Sequence, residues 1–233
     1  DASAIVQHTP QVIYLEDNEI AVIRRDGTFR TMTLDAAPVT KEVSAIEWTL
    51  TQLELNGHEH FMAKEIFEQP ESLRNCLRGR IDTAEGRVVL GGLNGVAREL
   101  VRAKRIILTA CGTAWHAALV GEYLFEELAR IPCEVEYGSE FRYRNPILTD
   151  NTVVIAISQS GETADTLAAV REARERGALA LGIVNAVGST IARETDAGVY
   201  LHVGPEIGVA STKAFTGQLA VLSMMAAYLA RRR

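Results

Sequence analysis

The sequence predicts an α/β fold, a doubly wound parallel sheet preceded by a small antiparallel β segment. Two observations carry this prediction. Beyond residue 104, short apolar runs that do not alternate with polar residues are separated by amphipathic stretches of helical length, which is typical of parallel strands covered by helices on both faces. Before residue 35, shorter apolar stretches are separated by turn residues, as in an antiparallel meander.

The first 57 residues are predicted to contain the antiparallel segment and a linker. Its apolar stretches are residues 5–6, 12–15, 20–23 and 29–34, with turn signals at 16–19 and 26–27. Residues 35–57 are mixed and polar, with one short helix expected at 42–53. So small a meander has too little apolar surface to be stable alone, and the chain starts at Asp1 rather than Met. We therefore expect a piece of a longer protein or a processed product.

Residues 58–233 are predicted to form the α/β domain. Its first helix, residues 60–77, is expected to be interrupted at Pro70, because proline lacks the N–H that a helix interior uses. The apolar positions expected for this helix are Phe61, Ile66, Phe67 and Leu73. The later elements are, in order, helix 95–101, strand 105–110, helix 114–130, strands 133–137 and 152–157, helix 164–176, strands 178–184 and 199–203, and helix 211–231.

Three polar segments fall where strands of this sheet end or where its last helix begins. They are residues 111–113, 158–163 and 206–213. In doubly wound sheets, ligands bind beyond the carboxyl ends of the strands, at the point where the strand order reverses. The sequence therefore predicts a pocket at this edge of the sheet.

The segment at 158–163, Ser-Gln-Ser-Gly-Glu-Thr, lies between an apolar strand and a helix. Hydroxyl groups, and the N–H groups that a helix N-terminus leaves unpaired, would converge there on an anion such as a sugar phosphate. Hydrogen bonds to a charged acceptor contribute about 1.5–3 kcal/mol each, so no Lys or Arg is required. The alternative is a helix cap by Ser160 or Thr163, with Glu162 stabilised in the first turn. Capping accounts for one hydroxyl, not for three with a glycine, which favours the anion site.

Composition argues against several classes of function. A net charge of −6 does not suit a nucleic-acid binder, because affinity for the phosphate backbone comes from clustered Lys and Arg. Three scattered cysteines fit neither a disulfide framework nor a CxxC metal site, which indicates a reducing compartment, the cytoplasm by default. No apolar run approaches the roughly 18 residues of a membrane span, so no membrane partner is expected.

The nucleotide and hydrolase fingerprints GxGxxG, GxxxxGK[ST] and GxSxG are missing, so no cofactor is expected. Other side chains keep two interpretations open. Cys111 is a nucleophile or a small packing thiol, Lys213 neutralises substrate charge or is salt-bridged, and Glu206 is a base or a surface carboxylate. His58 and His60 have no further ligands beside them, so no metal site is expected.

The motifs at 111–114, 158–163 and 206–216 resemble those of the sugar isomerase (SIS) domain, a flavodoxin-like doubly wound sheet. With KEIFEQP at 64–70 ahead of them, they resemble more closely the glutamine–fructose-6-phosphate aminotransferases (isomerizing), also called glucosamine-6-phosphate synthases. The resemblance covers the whole chain. Residues 1–57 are similar to the end of that family's glutaminase domain and the linker after it, and residues 58–233 are similar to its first SIS domain.

The resemblance implies a whole protein that converts fructose 6-phosphate and glutamine to glucosamine 6-phosphate and glutamate. It implies that the sugar phosphate is held by a set of polar side chains, Ser158, Gln159, Ser160 and Thr163, and that Thr113, Val209 and Ser211 line the sugar site. No catalytic residue is expected in this chain, because the family's N-terminal cysteine nucleophile and second SIS domain have no counterpart in it. Ala114 stands where family members often have serine.

The resemblance also implies a homodimer. The residues expected to pack in it are Ala117, Leu124, Val221, Leu222, Met224 and Met225. The alternative function is a stand-alone SIS module that binds fructose 6-phosphate or glucosamine 6-phosphate as a regulatory signal, without chemistry. The motif at 64–70 and the antiparallel segment favour the enzyme, because a minimal sensor needs neither.

Overall fold

The computed structural model describes residues 8, 9, 11–45 and 54–233, and the chain divides into two compact units, Asp1–Glu54 and Leu55–Arg233. The first unit contains five short strands: β1 (Gln11–Val12), β2 (Glu19–Ile23), β3 (Phe29–Thr33), β4 (Pro38–Val39) and β5 (Ser44–Ala45). β2, β3 and β4 form one antiparallel sheet, and β1 pairs antiparallel with β5. The small antiparallel β segment predicted from the sequence is confirmed.

The expected linker at 35–57 is wrong in part, because β4 and β5 form within it. Pro38 lies opposite Met32, and Ser44 lies opposite Val12. Val39 and Val43 are β-branched and favour the extended chain, so the helix expected at 42–53 does not begin where it was predicted. The remainder of that helix, residues 46–53, and the apolar stretch at 5–6 lie outside the described residues.

The second unit begins with a helix and a hairpin that precede the parallel sheet. The elements are α1 (Phe61–Leu77), β6 (Ile81–Asp82), β7 (Arg87–Val88), a 3₁₀ segment (Gly91–Val96) and α2 (Ala97–Arg102). The sequence did not indicate the β6–β7 hairpin, because strands this short show no apolar periodicity.

Helix α1 differs from its prediction in two respects. It runs through Pro70 without interruption. Proline leaves the carbonyl four residues earlier without its usual N–H, and here the Gln69 side chain donates to that Ile66 carbonyl at 3.0 Å. The buried positions of the helix are mostly polar: Lys64 and Glu65 are each 2% exposed, and Ser72 is buried as well. Cys76 is the apolar residue buried with them, whereas Phe67 is 73% exposed.

A five-stranded parallel sheet forms the centre of the second unit. Its strands are β8 (Arg105–Ala110), β9 (Cys133–Tyr137), β10 (Thr152–Ser158), β11 (Leu179–Val184) and β12 (Ala197–Tyr200), in the spatial order β12-β11-β10-β8-β9. The first and third of these strands in the chain, β8 and β10, are neighbours, so the order is that of flavodoxin-like sheets and reverses between them. The doubly wound parallel sheet predicted from the sequence is confirmed.

Helices cover both faces of this sheet. They are α3 (Gly112–Leu124) with a π turn (Phe125–Ala129), α4 (Gly138–Tyr143), α5 (Ala164–Glu175), α6 (Thr190–Glu194) and α7 (Lys213–Ala230). Successive side chains of a strand point to opposite faces. Ile106 and Leu108 therefore pack into one core with α3 and α7, while Ile107 packs with Phe141 and Ala169 on the other side. Burial on both faces explains the apolar runs without alternation.

The residues expected to pack in a dimer serve the chain's own core instead. Ala117, Val221 and Leu222 are fully buried, Met225 is 1% exposed, Met224 is 4% exposed, and Leu124 packs against the same core. Apolar residues on α3 and α7 were assigned to a subunit contact because the sequence does not show that these two helices lie side by side. Among the described helices, none is long and apolar enough to cross a membrane.

Candidate functional site

A cavity of about 170 Å³ lies at the carboxyl ends of β8 and β10, where the strand order reverses. The register places Ala110 opposite Ile157, so the segments that follow both strands start level with each other. The cavity is lined by Cys111, Thr113, Ala114, Ile157, Ser158, Gln159, Ser160, Thr163, Glu206, Gly208, Val209, Ser211 and Gln218. The structure therefore brings together the three polar segments, including all seven of the sugar-site residues expected from the sequence.

The loop at 158–163 is shaped by its own hydroxyl groups. The Ser158 Oγ accepts a hydrogen bond from the Gly161 N–H at 3.0 Å and lies 3.0 Å from the Thr163 Oγ1. The Ser160 Oγ accepts from the Glu162 N–H at 3.1 Å. Because that bond uses a lone pair of Ser160, the Ser160 proton stays available for an acceptor in the cavity.

Gly161 is required by the path of this loop. Its φ of +69° is in the left-handed region, and a Cβ placed on it would lie 2.5 Å from the Ser189 Cβ and would overlap the Ser189 hydroxyl. Both the backbone conformation and the close approach exclude a side chain. Glycine therefore allows the loop to curl back over its own hydroxyl groups.

The helix-cap alternative does not describe this loop. Thr163 is the N-cap residue of α5, but within the described part of the chain its side chain makes no capping bond and is paired with Ser158 instead. Glu162 was expected to stabilise the first turn of α5. Its carboxylate instead accepts from the Thr190 N–H at 2.8 Å and caps the short helix α6. The N-terminus of α5, which adjoins the cavity, thus lacks a side-chain cap, and a helix N-terminus favours an anion.

Glu206 organises the third segment. Its carboxylate accepts hydrogen bonds from the Ser211 hydroxyl at 2.8 Å, from the Thr212 N–H at 2.8 Å and from the Ala214 N–H at 3.0 Å. It therefore caps α7 and is neither the base nor the surface carboxylate weighed from the sequence. The Ser211 proton is committed to Glu206, so Ser211 presents only lone pairs to the cavity.

Charged side chains of α1 also contact this segment. The Glu65 carboxylate accepts from the Ile207 N–H at 2.6 Å and from the Gly208 N–H at 3.1 Å. The Lys213 ammonium lies 2.7 Å from a Glu68 carboxylate oxygen, and the Lys64 ammonium lies 3.5 Å from the other. The salt-bridged interpretation of Lys213 is thus correct. The role of these charged side chains was not predicted from the sequence, although the Lys64–Glu68 spacing of four residues places that pair on one helix face.

The chemistry of the lining is polar without being cationic. Among the described residues that line the cavity, none is Lys or Arg, and Glu206 is engaged as a cap. Cys111 lines the cavity and is partly exposed, and its sulfur lies 3.7 Å from the Thr166 hydroxyl. Over the described residues, no group of three or more His, Cys, Asp or Glu side chains is arranged to hold a metal ion. The cavity therefore offers hydroxyl groups and N–H groups to an anionic or hydroxylated ligand.

Gln218 is a lining residue that the sequence analysis did not identify. It lies in the middle of α7, is 1% exposed, and its Oε1 has no hydrogen-bond partner among the residues that the structure describes. The available signal was an uncharged polar residue within the long apolar stretch of the last helix. That signal is weak, because such residues usually face solvent.

Comparison with known proteins gives consistent similarities. The family model described as SIS domain matches residues 99–228. The chain is 57% identical over its full length to a glutamine–fructose-6-phosphate aminotransferase [isomerizing] of Chlorobaculum tepidum and 56% identical to that of Bacteroides thetaiotaomicron. It spans 38% of the length of each of these relatives.

Among solved structures, the C-terminal domain of glucosamine-fructose-6-phosphate aminotransferase from Francisella tularensis matches with a TM-score of 0.72 and 39% identity. That match covers 76% of this chain and 50% of the solved one. The similarity therefore extends from the sequence motifs to the arrangement of the sheet that carries the cavity.

Proposed function

The chain belongs to the SIS domain family, and we propose that it supplies the sugar-phosphate-binding half of a glutamine–fructose-6-phosphate aminotransferase (isomerizing). The whole protein would convert fructose 6-phosphate and glutamine to glucosamine 6-phosphate and glutamate. The observation that carries the proposal is the 158–163 loop, whose hydroxyl groups and adjoining helix N-terminus surround an anion-sized space without a cation. The full-length match to aminotransferases favours this function over a stand-alone regulatory module.

In the proposed complex, the phosphate lies against the 158–163 loop. Ser160 donates its free proton to a phosphate oxygen, while Ser158, Gln159 and Thr163 form the surrounding wall. Thr113, Val209 and Ser211 line the sugar, and the Ser211 oxygen accepts from a sugar hydroxyl, because its own proton is held by Glu206. The 158–163 loop thus contacts the phosphate, and the other two segments contact the sugar.

Binding, rather than chemistry, is the role proposed for this chain. The one carboxylate among the described lining residues is Glu206, and its oxygens accept three or more hydrogen bonds as a helix cap. Aldose–ketose isomerisation requires a base that can take a proton from the sugar and later return it. The cavity volume of about 170 Å³ is also below the roughly 300–1,000 Å³ of most small-molecule sites. We infer that further residues of the whole protein complete the site and supply the acid and the base.

The remaining assignments are also proposals. Residues 1–57 are the end of a glutaminase domain and its linker, which is supported by the match of relatives over these residues. The three cysteines are free, which suits the reducing cytoplasm. A homodimer would use exposed apolar side chains of α3 and its π turn, such as Val120, Tyr123 and Leu128. Sedimentation of this chain as a monomer at high micromolar concentration would exclude that dimer.

Calorimetric titration of this chain with fructose 6-phosphate, with fructose as the control ligand, tests the proposal. We expect phosphate-dependent binding that weakens roughly 10- to 150-fold in Ser160→Ala, because one hydrogen bond to a charged acceptor is worth about 1.5–3 kcal/mol. Ser223→Ala is the matched control, since Ser223 is exposed on α7 and donates to the Leu219 carbonyl. A folded chain that binds fructose and fructose 6-phosphate equally, or a Ser160→Ala protein that binds like Ser223→Ala, would contradict the assignment.

A further inference from the structure

Gln218 presents an unusual combination of burial and unmet hydrogen bonding at the candidate site. It is 1% exposed and lines the cavity, and its Oε1 has no partner among the described residues. A carboxamide can accept through its oxygen and donate twice through its nitrogen, and buried polar side chains nearly always use these groups. A partner that arrives with a ligand accounts for an unused group at this position.

The location of Gln218 separates it from other unused polar atoms. The described part of the chain contains buried side-chain atoms without hydrogen-bond partners in Thr109, Trp115, Glu134 and Ser189 as well, and none of these residues lines the cavity. The Glu134 oxygen is ion-paired with Arg105. Thr109 in particular is fully buried in β8. Of these unpaired groups, Gln218 is thus the one placed where a ligand can reach it.

The position in α7 indicates which part of a ligand Gln218 meets. It lies one helical turn after Ala214, whose N–H donates to Glu206 at 3.0 Å. Gln218 therefore belongs to the side of the cavity built by the 206–211 segment and α7, whereas the hydroxyl-rich loop at 158–163 provides the anion side. Its neighbour on that side, Ser211, presents lone pairs and no proton.

We propose that Gln218 is a further ligand-binding residue of this site, whose carboxamide hydrogen-bonds a hydroxyl group of the sugar. With Ser211 it forms a pair of acceptors for sugar hydroxyl protons, and it discriminates a phosphorylated sugar from phosphate alone. The carboxamide can rotate to exchange oxygen and nitrogen, so a sugar oxygen that accepts from the nitrogen satisfies the same proposal. The inference rests on the function proposed above and names a residue that this function does not itself require.

The test compares two ligands and two variants of this chain. Gln218→Met keeps the length of the side chain and removes its hydrogen-bonding groups, and Gln218→Leu serves the same purpose if the methionine variant does not fold. Thr109→Val is the control, because it removes a buried, unpaired hydroxyl that does not line the cavity. Fructose 6-phosphate and inorganic phosphate are titrated into each protein, and the thermal midpoint of each is recorded.

We expect Gln218→Met to bind fructose 6-phosphate at least about tenfold more weakly, which corresponds to a loss of about 1.4 kcal/mol of binding free energy. Its affinity for phosphate and its thermal midpoint should not fall. Thr109→Val should match the parent in both titrations. Equal fructose 6-phosphate affinity in Gln218→Met and parent would overturn the inference, and so would equal weakening toward both ligands with a lowered midpoint. If Ser160→Ala weakens binding and Gln218→Met does not, only this inference fails; if the parent binds no fructose 6-phosphate, the proposed function fails with it.

Discussion

Substitution of Gly161 by alanine tests whether the loop at 158–163 is packed as described. A non-glycine residue in the left-handed region costs about 1–2 kcal/mol, and Gly161 has φ of +69°. The added Cβ would also meet the Ser189 side chain, and overpacking of this kind costs about 1–3 kcal/mol. The sum predicts that Gly161→Ala lowers the free energy of unfolding by about 2–5 kcal/mol.

Gly177 provides the matched control. It has φ of +78°, but a Cβ placed on it meets nothing within 4 Å. Gly177→Ala should therefore incur only the backbone cost of about 1–2 kcal/mol, and it should leave fructose 6-phosphate binding intact. Gly161→Ala should also weaken that binding, because the Gly161 N–H donates to the Ser158 Oγ that shapes the loop.

A double-mutant cycle separates the clash from the backbone strain. Ser189→Gly removes the side chain that the new methyl group would meet, and its own cost at the N-cap of α6 is a few tenths of a kcal/mol. In the Gly161→Ala background it should recover the overpacking part, about 1–3 kcal/mol. Chemical denaturation measures all four proteins. If Gly161→Ala is no less stable than Gly177→Ala and Ser189→Gly recovers nothing, the reasoning is refuted.

Two further predictions concern charged groups. Glu65→Gln should weaken fructose 6-phosphate binding about tenfold in calorimetry, because the group that accepts from the Ile207 and Gly208 N–H groups loses its charge. Glu71→Gln is the control, since Glu71 forms a surface ion pair with Arg74, and it should not weaken binding. Equal affinities in the two variants would exclude the positioning role of Glu65. Burial, together with the nearby carboxylates of Glu126 and Glu134, raises the pKa of Glu122 above that of an ordinary glutamate. In the unfolded chain this carboxyl has its ordinary, lower pKa, so it ionises more readily there than in the folded protein. The free energy of unfolding therefore falls as the pH rises from the ordinary pKa through the raised one. Glu122→Gln should thus have a higher free energy of unfolding than the parent at pH 7, by less than about 1 kcal/mol in urea denaturation. This difference should disappear below about pH 4, where both carboxyl states are protonated. A difference that stays constant with pH would contradict the ionisation argument.

The parts of the fold that the sequence predicted are those set by local pattern. The strand at 105–110 has the predicted bounds, because burial on both faces demands continuous apolar residues there. The strand at 133–137 also has the predicted bounds, although it lies at the edge of the sheet and Glu134 and Glu136 alternate with its apolar residues. The 158–163 segment was singled out because its residue types change abruptly where a strand passes to a helix. Each of these signals lies within a single short window of the chain.

What the sequence did not predict depends on contacts between distant segments. The polar face of α1 is buried because Glu65 and Glu68 meet residues more than 140 positions later, and no local periodicity encodes that. The apolar face of α7 is buried against α3, although its residues were predicted to form a subunit contact. Gln218 was overlooked for the same reason, since only the folded chain shows that this position lines the cavity.

Two buried lysines, Lys64 and Lys213, pair with a carboxylate of α1 and do not line the cavity. Lys64 and Lys213 are 2% and 3% exposed, and both ammonium groups lie near the Glu68 carboxylate rather than in the lining of the cavity. A buried charge needs a partner, and here both lysines pair with Glu68 of α1. The Lys213–Glu68 pair therefore ties the 206–213 segment to α1. In the proposed complex, the phosphate would therefore meet neutral donors and the N-terminus of α5. Hydrogen bonds from neutral donors depend on direction more than the attraction of a cation does. This suits the proposed role, in which the sugar must be held in one orientation against residues of a longer protein.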